Sequence, residues 1–152
     1  MNNETRVERT SGREIVITRT FHASARIVFE AWTKAELMQR WWVPKSGGFT
    51  LLSCEMDVRT GGSYRFVFEH SPEPMAFFGR YLEVSPHSRV VWTNDESGDA
   101  GQISTLTLEE HGDTTRVVLR ELYPSAEALE AAKGAYDGLP ESFGQLDALL
   151  AG

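Results

Sequence analysis

From Glu14 to Phe21 the side chains alternate, Ile15, Ile17 and Arg19 on one parity and Val16, Thr18 and Thr20 on the other. β-Branched residues dominate, which predicts a first strand. The period then changes. Ser24 can cap a helix whose apolar positions Ala25, Val28, Phe29 and Trp32 recur at i, i+3, i+4 and i+7. Thr33-Lys34-Ala35-Glu36 has the form of a capping box, with Trp32 and Leu37 as its hydrophobic staple, and predicts a second short helix through Met38 and Trp41. Pro44 and Gly47-Gly48 supply its end.

After Gly48 the pattern is that of strands cut by turn residues. The predicted spans are 49–58, 63–70, 75–84, 89–94, 102–110 and 114–122, separated by turn chemistry such as Thr60-Gly61-Gly62, Ser85-Pro86-His87 and His111-Gly112-Asp113. Separators this short favour antiparallel hairpins, because parallel strands need long crossovers. Helical spacing returns over 125–133, is interrupted by Gly134 and Gly138, and resumes from Pro140, where Leu139, Phe143, Leu146, Leu149 and Leu150 form one apolar face. The order β-α-α, six strands and a closing helix describes an α+β fold with an antiparallel sheet of about seven strands. At 152 residues it is expected to form a single domain over 1–152, preceded by a flexible tail at 1–12.

Charge narrows the partners. The formal net charge is −7, and the stretch from Asn94 to Thr115 holds six acids and no Lys or Arg. A polyanion would be repelled there, and no stretch interleaves basic and aromatic residues, so nucleic acid is not an expected partner. The stretch reads as two solvated hairpin loops. No segment approaches the ~20 apolar residues of a membrane helix, and the polar N-terminus does not resemble a leader, so no membrane partner and a cytoplasmic location are expected.

Motif chemistry is sparse. Cys54 is the single cysteine, placed by alternation on an apolar strand face with Leu52 and Met56, and reads as a structural thiol. His22, His70, His87 and His111 have no metal-ligand spacing. No phosphate loop, dinucleotide fingerprint or nucleophile elbow occurs, so neither a cofactor nor a metal is expected, and no catalytic residue is assigned. The polar groups that could project into an apolar interior are Tyr64, Arg65, Arg80, Tyr81, Asn94, Arg120 and Tyr136, with Arg65 and Arg80 expected on the outer face.

Aromatic residues carry the rest. Tyr64, Phe66 and Phe68 alternate, and Phe78, Trp92 and Phe143 fall in predicted elements; one by one they read as ordinary core. Trp41 and Trp42 are adjacent at a helix end, about 100° apart. One should pack while the other borders an opening or covers neighbouring surface.

Four motifs in order resemble a known family. They are Val28-Phe29-Glu30-Ala31-Trp32-Thr33 with Trp41-Trp42-Val43-Pro44, then Asp57-Val58-Arg59-Thr60-Gly61-Gly62, then Gly79-Arg80-Tyr81-Leu82-Glu83-Val84, and the tail Glu141-Ser142-Phe143-Gly144-Gln145-Leu146. The chain resembles the bacterial proteins similar to the activator of the heat-shock-protein-90 ATPase homologue, in the START-like, pollen-allergen-like superfamily. The resemblance implies a helix-grip fold, a curved antiparallel sheet around a C-terminal helix enclosing an apolar cavity, and relatives that bind lipids, sterols or polyketides. It brings no catalytic residue set. Asp57 and Arg59 read as stabilisers of the hairpin turn, and Gly79 as a strand bend.

The expected function is binding of a small hydrophobic molecule, lipid-like, aromatic or polyketide-like, between sheet and closing helix. Trp42, Tyr64, Phe66, Phe68, Phe78, Trp92, Tyr136, Phe143 and Leu146 are the candidate lining. Two alternatives stand beside it. A cyclase or isomerase-type enzyme would need two or more polar groups converging in the same place, and a chaperone-associated or regulatory interaction protein would need a filled core and an exposed apolar patch. A homodimer through an exposed edge strand or a Trp-bearing surface is the expected assembly to test.

Overall fold

The computed structural model describes residues 5–42, 50–69, 73–95, 102–132 and 139–151. The end signals at Pro44, Gly47 and Gly48, the loop around Gly98 and the interruptions at Gly134 and Gly138 lie outside them. Eight strands form one curved, unclosed antiparallel sheet, in the order β1-β2-β8-β7-β6-β5-β4-β3. The strands are β1 (Arg6–Arg9), β2 (Glu14–Phe21), β3 (Leu51–Met56), β4 (Ser63–Phe68), β5 (Met75–Ser85), β6 (Arg89–Asn94), β7 (Gln102–His111) and β8 (Thr114–Leu122). The helices among the described residues are α1 (Ala25–Thr33), α2 (Ala35–Trp41), α3 (Ala126–Ala131) and α4 (Leu139–Ala151). This is an α+β helix-grip architecture. From β3 to β8 every strand pairs with its successor, and β2 joins along β8 with Ile17 opposite Leu119 and Phe21 opposite Thr115.

Alternation decides which side is buried. Ile15, Ile17 and Phe21 of β2, Leu106 and Leu108 of β7, and Val117 and Leu119 of β8 all face the helices. Over them lie Val28, Phe29 and Trp32 of α1, Met38 and Trp41 of α2, and Phe143 and Leu146 of α4. Each large side chain removed from water in this way contributes roughly 1.5–3 kcal/mol. Ser24 caps α1 as the sequence indicates, its hydroxyl accepting from the Ile27 amide. α4 starts at Leu139 with Pro140 in its first turn, where a missing N–H leaves no bond unmade.

Four expectations need correction. The segment 1–12, read as a flexible tail, carries β1, which pairs with β2 from Arg6 opposite Thr18 to Arg9 opposite Ile15, so the strands among the described residues number eight. Its short, fully exposed Arg-Val-Glu-Arg run gives no alternating signal. The capping box at Thr33 does not form. Thr33 stays inside α1 and its hydroxyl donates to the Phe29 carbonyl four residues back (2.8 Å), leaving Lys34 at the cap without a side-chain bond. Cys54 does not share its face with Leu52. A bulge between Leu51 and Ser53 turns Leu51, with Cys54 and Met56, toward the core and leaves Leu52 exposed. The fourth is Phe78, which stands exposed on the outer side of β5.

Candidate functional site

The inner face of β4 is a row of rings. Tyr64, Phe66 and Phe68 sit at alternate positions and are all buried. Tyr64 lies 5.3 Å from Phe66 and 5.6 Å from Tyr81 of β5, and Phe68 lies 5.3 Å from Phe77, between ring centroids. Phe78 is not part of this face. It pairs in register with Arg65, one residue out of step with Phe66 and Phe77, and is exposed on the outer side with the Arg65 guanidinium 5.8 Å from its ring. The doublet Phe77-Phe78 puts one ring on each side of the strand, and register with β4 selects Phe77 for the inside. Arg80 and Arg120 are likewise exposed, beside Asp95 and Glu14.

Gly79 shapes the next strip. It stands opposite Tyr64, and a Cβ at Gly79 would lie 2.0 Å from the Thr93 carbonyl oxygen. With no side chain in between, the Tyr64 hydroxyl reaches across β5 and donates to that same carbonyl (2.7 Å), 3.2 Å from the Asn94 side-chain oxygen. From there a polar row crosses the sheet. Asn94 Nδ2 donates to Ser104 Oγ (2.9 Å), and Ser104 donates to Glu121 Oε2 (2.7 Å), which also accepts from Gln102 Nε2 (3.0 Å). Ser104 and Glu121 face each other in register and are both buried. A buried carboxylate demands such donors, because an unpaired one would cost several kcal/mol.

Sequence reasoning named Tyr64 and Asn94 but not Ser104, Gln102 or Glu121. Strand parity held the missing signal: Glu121 continues Val117 and Leu119, and Ser104 precedes Leu106 and Leu108, all on the buried side. Tyr136 lies outside the described residues.

The third part of the site is a cluster that contains all four tryptophans. Trp32 is its hub, with ring centroids at 4.7 Å to Trp41, 5.8 Å to Trp42, 6.0 Å to Phe143 and 6.1 Å to Trp92. The neighbouring tryptophans divide as their angular separation requires. Trp41 is fully buried and its indole N–H donates to the Ala31 carbonyl (2.9 Å), while Trp42 is half-buried against Trp32 and Trp41. α4 is tied to this helix end by Ser142 Oγ donating to the Trp42 carbonyl and Gln145 Nε2 to the Trp41 carbonyl, both at 2.8 Å. Leu146 is fully buried on the same helix.

Two ionisable groups on the inner face are shifted. Burial pushes the Cys54 thiol from 9.0 up to about 11, and its Sγ lies 3.9 Å from the Ala35 carbonyl. Burial also raises the Tyr81 phenol, with Cys54 and Asp57 acting in the same direction. Neither group is a nucleophile at neutral pH. Among the described residues no group of His, Cys, Asp and Glu is placed to hold a metal. No helix is long and apolar enough to cross a membrane, again among the described residues. Asp57 accepts both carboxylate contacts from Arg59 Nε (3.0 and 2.9 Å) in the β3–β4 turn.

Residues 22–151 match the family described as activator of Hsp90 ATPase homolog 1-like protein. The chain belongs to this family. Solved structures repeat the architecture over most of its length. A Rhodobacter sphaeroides protein is 21% identical with a TM-score of 0.85, covering 97% of this chain and 98% of its own. A Chromobacterium violaceum protein is 29% identical at 0.77, covering 91% and 97%. A protein from Aeromonas hydrophila described as AHSA1-like is 15% identical at 0.72, covering 88% and 93%. Among curated proteins none matches. For this family member the likeness establishes the fold, and the site must be read from its own residues.

Proposed function

We propose that the inner face of β4 to β8, closed by α1, α2 and α4, binds a small, largely apolar molecule. The observation that carries this reading is the composition of that face: aromatic rings from β4, β5 and β6 beside one converging polar row from Tyr64 to Glu121. Sites for small molecules combine a broad apolar lining with a few placed polar groups that fix orientation. On this reading Trp42, Tyr64, Phe66, Phe68, Trp92 and Phe143 supply apolar contact, and Asn94, Ser104 and Glu121 the polar end.

A second reading, an isomerase or cyclase acting in the same place, draws on the convergence of the Tyr64, Asn94, Ser104 and Glu121 side chains. In the binding reading these groups orient a ligand; in the enzyme reading they would also move a proton. Protein purified from its native host and sprayed under native conditions separates these outcomes from an empty fold. A discrete small-molecule adduct that disappears on denaturation supports binding. An adduct chemically altered on incubation moves the enzyme ahead, and a bare protein mass contradicts both.

A further inference from the structure

Trp32 is buried, with 4% of its surface exposed, and its indole nitrogen has no hydrogen-bond partner among the described residues. Beside it, Trp41 is fully buried and hands its indole N–H to a backbone carbonyl at 2.9 Å. The contrast within one cluster matters, because buried tryptophan nitrogens normally find an acceptor and a donor left without one costs about 1–3 kcal/mol. A phenylalanine would fill much of the same apolar space without that penalty. The rings of Trp41, Trp42, Phe143 and Trp92 surround Trp32 at 4.7 to 6.1 Å, so the donor sits in low-dielectric surroundings where a single hydrogen bond is strong. Trp42 is the half-buried ring of the group and stands at the end of α2.

We infer that the Trp32 indole N–H is the donor that reads the ligand, and that the ligand carries a carbonyl-type acceptor on an apolar or aromatic body. The inference deepens the binding function proposed above and rests on it. An N–H pointing onto the face of a neighbouring ring is the competing explanation, and it makes Trp32 a packing residue only.

The test uses the full chain and two probes of nearly equal shape, 2-acetylnaphthalene and 2-isopropylnaphthalene, titrated by calorimetry. The wild type should bind the ketone about fivefold to tenfold more tightly, the size of one net hydrogen bond. In Trp32→Phe that preference should shrink to within about twofold while the hydrocarbon still binds. On 15N-labelled wild type, with indole resonances assigned through the other Trp→Phe variants, the Trp32 N–H proton should move downfield with the ketone and not with the hydrocarbon. This second readout stands even if Trp32→Phe fails to fold. Equal affinities for the two probes, or a preference that survives in Trp32→Phe, overturn the Trp32 inference and leave the binding reading in place. If neither probe binds, the inference of an acceptor on an aromatic body is overturned, and the binding reading stands or falls with a wider panel of compounds.

Discussion

At Gly79 the close approach of the Thr93 carbonyl leaves no room for a methyl group, and the atom in the way is backbone, which cannot swing aside. Gly79→Ala must therefore push β5 and β6 apart or break the Tyr64 hydroxyl bond to Thr93. A loss of about 2 kcal/mol or more is expected, measured by urea denaturation; a change below about 0.5 kcal/mol would show that the two strands are not held at this distance. The need for glycine here was visible in sequence only as a bend inside a strand. Its cause, a tyrosine reaching over one strand to the next, depends on register. The same holds for Glu121, whose parity with Leu119 is legible but whose partners Ser104 and Gln102 come from another strand. Phe78 shows the opposite failure: side by side with Phe77, it offers no way to choose the inner ring without the pairing to β4.

Elements are specified most clearly where period and cap agree. β2, β6 and β8 span the residues their alternation indicates, and α1 begins at the serine cap. Where one local signal competes with another the outcome is settled by packing, as at Thr33, whose hydroxyl could cap α2 but bonds back into α1. α4 is the element whose position sequence could not give, because its ties are side chains reaching carbonyls a hundred residues away. A further tie joins Asp147 to the largely buried Arg19 of β2 at 3.4 Å, with the guanidinium also 5.5 Å from the Phe21 ring. Removing Asp147 leaves a buried cation without its counter-charge, so Asp147→Ala should destabilise more than Arg19→Met, which removes the charge itself. Hydrogen exchange should report this as faster opening of α4 amides in Asp147→Ala. Unchanged α4 exchange, or a larger loss in Arg19→Met, would show that the pair does not hold the helix.

For the molecule as a whole, the inner face leaves a signature in alkaline stability. The Cys54 thiol releases its proton at about pH 11 when folded and near 9.0 otherwise, so its contribution to stability is complete below pH 9 and is lost as pH rises through about 11. Tyr81 is shifted the same way and adds to the loss at the alkaline end. The unfolding midpoint should therefore fall between pH 8.5 and 10.5 by a visibly greater amount in the wild type than in Cys54→Ala, about one to a few degrees for each kcal/mol lost. Equal falls in the two proteins would place Cys54 in water. The central claim concerns what the inner face holds, and the four tryptophans all lie in one cluster that includes Trp92 of that face, so the protein carries its own reporter. Titration of intrinsic tryptophan fluorescence with a panel of lipid-like, aromatic and polyketide-like compounds is the direct test. A saturable one-to-one change with at least one class, weakened by Trp92→Phe, is the expected result; emission indifferent to every compound at its solubility limit would contradict it.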